Sequence, residues 1–70
     1  MARKAEVRWT VVKDYYLNGD NMTDMWVILY GTEAEAKEAK QRLEAGQDKS
    51  WYDPADLDAQ AFLYVDQITL

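Results

Sequence analysis

The longest apolar run in the chain is Met25-Trp26-Val27-Ile28-Leu29-Tyr30, and Gly31 closes it. A strand with one buried face alternates apolar and polar residues, whereas these six residues do not alternate. Aromatic and β-branched side chains are also typical of strands. The run therefore predicts a strand that is buried on both faces.

The whole chain is short and lacks two reactive residue types. Its 70 residues predict one domain, and a chain of this length buries only roughly 60% of its unfolded surface. It contains no cysteine and no histidine, which excludes disulfides, thiolate nucleophiles, imidazole bases and the usual zinc ligand sets. No stretch resembles a signal peptide, a membrane span or a cofactor-binding motif. We therefore expect a cytoplasmic protein without a cofactor and without a membrane partner, with residues 1–5 frayed.

The charge is distributed unevenly. Residues 1–43 contain seven acidic and seven basic side chains, whereas residues 44–70 contain six acidic side chains and only one basic one, Lys49. The net charge of −5 therefore belongs entirely to the second segment. An acidic protein repels phosphate backbones, so the composition disfavours direct nucleic-acid binding and favours a protein partner with a basic surface.

A first strand is predicted over residues 6–17. Its odd positions are mainly apolar and its even positions mainly polar, although Val12 and Tyr16 make the second side less polar. The pattern is typical of a strand with one core face.

A hairpin turn follows this strand. Asn18-Gly19 tolerates the positive φ angles that tight hairpin turns require. A two-residue turn sets Trp9 opposite Ile28, whereas one more residue in the turn sets Trp9 opposite Leu29. Both registers are open on the sequence alone.

A helix is predicted after Gly31. Thr32 and Glu35 form a capping box, and Gly46 suits the left-handed position after the last turn, so the helix should span Glu33 to about Ala45. Its apolar stripe consists of small side chains, namely Ala36, Ala39 and Leu43, with Ala34 beside them. Such a narrow stripe can lie close to a sheet but covers little of it.

The remaining residues complete an α+β fold. Asp53-Pro54 predicts the start of a short helix that runs to Gln60, and residues 61–70 predict a third strand. The order is ββαβ, which gives a three-stranded sheet with one helix layer. A right-handed crossover makes the second and third strands parallel, so the third strand pairs either antiparallel to the first or alongside the second.

The acidic residues near the short helix could ligate a cation. The cluster consists of Asp53, Asp56 and Asp58, with Asp48 nearby, but it lacks the spacing of a calcium-binding loop. Helix capping is the simpler interpretation, so we expect no metal ion. Ser50 is the only serine, and the carboxylates fall on turns and helix surfaces, so we expect no catalytic activity.

The aromatic side chains raise a question of coverage. Nine large rings occur in the chain, and one slender helix covers only part of one sheet face. The segment with Trp51, Tyr52 and Leu57 could fold back over the uncovered face, or another protein chain could cover it. The residues predicted for this sheet-face interface are Trp26, Ile28, Tyr30 and Tyr64.

The acidic segment also predicts a surface for a basic protein partner. Its carboxylates would steer the encounter and its two rings would hold the complex. The residues of this predicted partner site are Asp48, Trp51, Tyr52, Asp53, Asp56 and Asp58.

In general character, the chain resembles the small acidic orphan proteins of phages and mobile elements, many of which block host defence by occupying a basic nucleic-acid site. The resemblance implies a stoichiometric inhibitor of the anti-CRISPR or anti-restriction type. Two alternatives stay open: an assembly homodimer that uses its apolar sheet face, and a designed protein without a biological function.

Overall fold

The computed structural model describes residues 6–55 and 61–70. These residues form four elements, which are β1 (Val7–Leu17), β2 (Asp20–Met25), α1 (Glu33–Glu44) and β3 (Phe62–Thr69). The strands form one antiparallel sheet in the order β2-β1-β3, and α1 lies against β1 and β3. The predicted α+β fold is confirmed, with β3 antiparallel to β1. Most of the predicted short helix and the predicted frayed tail lie outside the described residues.

The hairpin between β1 and β2 has a two-residue turn. Asn18 and Gly19 have φ angles of 52° and 85°, and Leu17 pairs with Asp20. Asparagine and glycine tolerate this left-handed backbone better than other residues, which is why this dipeptide turns the chain here. From the turn as far as Val12, which pairs with Met25, the strands follow the register that a two-residue turn requires.

The apolar run at residues 25–30 is not a strand buried on both faces. The strand β2 ends at Met25, and the side chain of Val27 is 82% exposed. The central strand is instead β1, where Thr10, Val11 and Val12 are consecutive buried residues. The apolar positions on both sides of β1 were therefore the better signal of the central strand.

A bulge explains why the run leaves the sheet. The N–H of Trp26 donates to the carbonyl of Val11 at 2.8 Å, whereas Trp9 and Tyr30 exchange both backbone hydrogen bonds at 2.7 and 2.8 Å. Between these points Thr10 is the single residue of β1 that faces residues 27–29. The segment after β2 therefore contains two more residues than a regular ladder would, which is a bulge. Trp9 therefore lies opposite Tyr30, and neither Ile28 nor Leu29 takes that position as predicted.

Thr10 fixes the bulge from the opposite strand. Its side chain is completely buried, and its hydroxyl lies 2.9 Å from the carbonyl oxygen of Ile28 and 3.3 Å from that of Trp26. Bulge carbonyls have no partner in a regular ladder, so the hydroxyl supplies the hydrogen bond that they lack.

Local signals at both ends define α1. The Thr32 side chain accepts a hydrogen bond from the N–H of Glu35, as the capping box predicts. At the other end Gly46 has a φ of 94°, and its N–H donates to the carbonyl of Leu43, while the N–H of Gln47 donates to that of Arg42. This pair of bonds is a Schellman motif, which satisfies carbonyls that the helix leaves free.

The core lies between α1 and the sheet. Ala39 and Leu43 of the helix pack with Val11 and Leu63, and four half-buried aromatic residues surround this cluster: Trp26, Tyr30, Trp51 and Tyr52. The rings compensate for the narrow alanine stripe, because they cover the part of the sheet that the helix does not reach.

Candidate protein-interaction surface

The sheet has a second face, which points away from α1. Side chains alternate along a strand, so residues on the even positions of β1 and their cross-strand neighbours lie opposite the core face. None of the described helices and strands packs on this side, and we call it the open face. Its residues on β1 are Arg8, Thr10, Val12, Asp14 and Tyr16, and their neighbours are Asn21, Thr23 and Met25 on β2 and Phe62, Tyr64, Asp66 and Ile68 on β3.

Large apolar side chains of the open face contact solvent. Phe62 is 58% exposed, Tyr16 is 56% exposed and Met25 is 50% exposed. The rings of Phe62 and Tyr64 lie side by side, with centroids 6.1 Å apart. The result is an aromatic and thioether surface on a rigid sheet, and residues of these types are enriched at the centres of protein interfaces.

Two carboxylates flank Tyr64. Burial raises the pKa of Tyr64, and the charges of Asp14 and Asp66 raise it further, so the phenol stays neutral and keeps its proton for donation. Asp14 accepts a hydrogen bond from the Thr23 hydroxyl at 2.9 Å, which holds one carboxylate in place. Arg8 also lies on this face, opposite Ile68, and contacts Glu6 at 3.6 Å. Glu6 offsets the charge of Arg8, so Asp14 and Asp66 give the surroundings of the aromatic centre a negative charge.

The predicted partner site at residues 48–58 is partly described. Asp48 accepts hydrogen bonds from the Ser50 hydroxyl and the Ser50 N–H, and the hydroxyl bond is the main reason that the pKa of Asp48 is lowered. Asp53 accepts from the N–H of Ala55 at 2.9 Å. Both carboxylates stabilise turns, while Asp56 and Asp58 lie outside the described residues.

Trp51 and Tyr52 pack on the core side of the sheet. The Trp51 ring lies 5.0 Å from that of Trp26, and both residues of the segment border the buried cluster. The sequence left open whether this segment folds back over the face that the helix does not cover. Its described residues instead pack on the same face as α1, and Leu57 lies outside the described residues.

Lys13 holds this segment to the sheet. Its ammonium group donates to the carbonyl of Trp51 and lies 4.9 Å from the ring centroids of both Trp51 and Tyr15, a cation–π arrangement. It also reaches Asp24 at 4.0 Å. The prediction from sequence missed Lys13, although an odd position in a strand whose odd positions face the core was the available signal.

The four residues of the predicted sheet-face interface are separated in the structure. Trp26 and Tyr30 lie on the core face, where the indole N–H of Trp26 donates to the Tyr30 hydroxyl at 3.2 Å. Ile28 belongs to the bulge and is 46% exposed, and only Tyr64 lies on the open face. The structure therefore does not bring the four residues together, because Tyr64 pairs with Val12 on the open face whereas Trp26 and Tyr30 lie opposite core-facing residues of β1.

Neither a metal centre nor a nucleophile with a base is evident in the described part. Within residues 6–55 and 61–70, no three acidic side chains come together as ion ligands. The hydroxyl of Ser50 donates to Asp48, a carboxylate whose lowered pKa makes it a poor proton acceptor.

No family model, curated protein or solved structure matches the chain. Among the described residues, no helix has the length and apolar character needed to cross a membrane.

Proposed function

We propose that the protein is a non-catalytic module that binds a basic protein partner through the open face. The observation that carries this proposal is the exposed group of Tyr16, Met25 and Phe62 on a sheet face that none of the described helices and strands covers. An apolar surface of this kind costs free energy in water, and contact with another protein recovers it.

The charges of the open face determine the kind of partner. Asp14 and Asp66 flank the aromatic centre, and the net charge of the chain is −5. Arginine-rich and lysine-rich surfaces complement such a face, and the attraction between opposite charges accelerates association. Two open faces would instead repel each other, which disfavours a homodimer built face to face.

A basic surface of this kind is characteristic of proteins that handle nucleic acids. The proposed activity is stoichiometric inhibition, in which the acidic module occupies the site of a phosphate backbone on a cytoplasmic defence protein. Its support is the acidity of the chain together with the aromatic centre of the open face. The same two features favour a protein partner over a nucleic acid, which the carboxylates would repel.

Position-specific cross-linking in the native host tests the proposal. A photoreactive benzophenone side chain replaces Phe62 in one variant and Lys37, on the outer surface of α1, in the control variant. We expect one basic protein to be linked from position 62 and not from position 37. A product obtained equally from both positions, or the absence of any basic protein linked from position 62, would contradict the proposal.

The purified complex then allows a quantitative test. Phe62→Ser should weaken binding by roughly tenfold or more, in line with the loss of a central aromatic contact, and it should leave the fold intact because the ring is exposed. Asp66→Asn should slow association and reduce its dependence on salt. An affinity that neither substitution changes would exclude the open face as the binding surface.

A further inference from the structure

Within residues 6–55 and 61–70 no further strand pairs with either edge of the sheet, and the two edges differ in how well they can accept another strand. The edge formed by β2 is six residues long, carries Asp20 and Asp24, and ends in the bulge. The edge formed by β3 is eight residues long, contains no proline and carries one charged residue, Asp66. Short, charged and bulged strands resist pairing, whereas a long regular strand invites it.

The outward-facing backbone groups of β3 can be assigned. The N–H of Leu70 donates to the carbonyl of Glu6 at 2.8 Å, so the even residues of β3 direct their N–H and C=O groups towards β1. Backbone direction alternates along a strand, so the odd residues direct theirs outward. These are Leu63, Val65, Gln67 and Thr69, and within the described part of the chain no strand pairs with them.

Two-fold symmetry restricts how a second copy can pair with this edge. When two identical antiparallel strands are related by a two-fold axis, the axis passes between a residue and its own symmetry mate. An axis at Asp66 would place two carboxylates directly opposite each other, which is unfavourable. An axis at Val65 places Val65 opposite itself and uses the whole of β3.

This register matches side chains as well as backbone groups. The outward-facing residues pair with one another, because Leu63 lies opposite Gln67 of the second copy. On the open face, Phe62 lies opposite Ile68 of the second copy, and Tyr64 lies opposite its Asp66, where the phenol can donate to the carboxylate. In a single chain the outward-facing N–H of Gln67 donates to Asp66 Oδ1 at 2.8 Å. Pairing would replace this bond with one to the carbonyl of Leu63 in the second copy and leave the Asp66 carboxylate for Tyr64.

We propose that two copies of the chain pair along β3 with Val65 at the two-fold axis, forming a continuous antiparallel sheet of six strands. This axis is perpendicular to the sheet, so both helices lie on one side and both open faces lie on the other. The pairing uses the edge of the sheet and does not rest on the proposed binding of a foreign partner through the open face.

The two association events also differ in their response to salt. Each copy carries a net charge of −5, so salt screens the repulsion between copies and should strengthen the pairing. Salt should instead weaken the binding of a basic partner. The failure of one proposal can therefore be distinguished from the failure of the other.

Single cysteine substitutions test the register, because the natural chain contains no cysteine. In Val65→Cys the two cysteines would face each other with Cα atoms about 5.5 Å apart, a distance that a disulfide spans. In the control Gln67→Cys each cysteine lies opposite Leu63 of the second copy, and the two cysteines are displaced by about 13 Å along the strands. Both positions belong to the same edge and the same sheet face.

We expect Val65→Cys to form a covalent dimer on mild oxidation and Gln67→Cys to form no disulfide-linked dimer. Light scattering of the natural chain from micromolar to millimolar concentration should show a dimer that strengthens with salt. Equal cross-linking of the two variants would overturn the register, and a natural chain that stays monomeric throughout would overturn the pairing. Circular dichroism of each variant confirms that it is folded before oxidation.

Discussion

Replacing Thr10 with valine would remove one hydroxyl from the middle of the sheet and leave the shape of the side chain almost unchanged. The side chain is fully buried, and its hydroxyl serves the bulge carbonyls of Ile28 and Trp26 at 2.9 and 3.3 Å. The loss of a buried partner leaves an acceptor unsatisfied, so we expect Thr10→Val to lower the free energy of unfolding by about 2 kcal/mol. For a domain of this size that loss corresponds to a fall in Tm of about 8–16 °C.

Urea and thermal unfolding, followed by tryptophan fluorescence and circular dichroism, would measure this loss. The matched control is Thr23→Val, because the Thr23 hydroxyl is also hydrogen-bonded, to Asp14 at 2.9 Å, but is exposed. We expect the control to change stability by less than about 0.5 kcal/mol. If the two variants were equally stable, Thr10 would not hold the bulge, and its hydroxyl would not be the reason that β2 ends at Met25.

Three further predictions concern the contacts around the core. Gly46→Ala should lower the free energy of unfolding in urea by about 1 kcal/mol, because the residue has a φ of 94° and a new Cβ would lie 3.2 Å from Lys49 Cε. The control Gly31→Ala should lower it less, because a Cβ at Gly31 would have no atom within 4 Å. Lys13→Met should lower the free energy of unfolding by about 1–2 kcal/mol, because the ammonium group contacts both the carbonyl and the ring of Trp51. The loss of these contacts should also shift tryptophan emission to longer wavelength, and unchanged emission would contradict this role of Lys13. The pKa of Tyr64 in the folded protein is raised above 10.0, the ordinary pKa of tyrosine. Its contribution to stability is therefore fully present below pH 10.0 and is lost as the pH rises through the higher pKa of the folded state. Tyr64→Phe should therefore lose less stability at alkaline pH than the natural chain does, as measured by urea unfolding at a series of pH values. If the variant and the natural chain had the same pH profile, Tyr64 would not be the group responsible.

The elements that the sequence predicts well are those that neighbouring residues determine. Thr32, Glu35 and Gly46 define the helix because caps are contacts between residues a few positions apart. The turn at Asn18-Gly19 is equally local, since it depends on the φ angles that these two residues tolerate. Both predictions were confirmed without knowledge of the rest of the chain.

The bulge could not be predicted in this way. Residues 26–30 are apolar enough for a buried strand, and only the hydroxyl of Thr10, 16 to 18 positions away, holds two of their carbonyls outside the ladder. Composition indicates that a segment contacts the core, but it does not specify a hydrogen-bond partner on another strand. The separation of Trp26 and Tyr30 from Tyr64 has another cause, which is the register of β3 on β1. Tyr64 pairs with Val12, whereas the other two rings lie opposite odd residues of β1, and composition does not specify this register either.

The candidate site shows a related limit. The acidic excess directed attention to residues 48–58, where the described carboxylates Asp48 and Asp53 form turns. The exposed aromatic surface is instead created when β3 pairs with β1, which brings Phe62 and Tyr64 beside Asp14. Charge counted along the chain cannot show this, because the two strands that carry the surface are about 50 positions apart in sequence.

The geometry of the sheet links the two proposed associations. A two-fold axis at Val65 leaves Phe62 and Tyr64 of both copies on the same side of one sheet, so the dimer would present two open faces in one plane. Two equivalent sites on one rigid body raise the strength of binding to a repeated or two-fold basic partner without any new contact. They offer nothing additional to a partner with a single site. The stoichiometry of the complex therefore distinguishes the cases, because a partner with one site should bind the monomer and the dimer with equal affinity per chain.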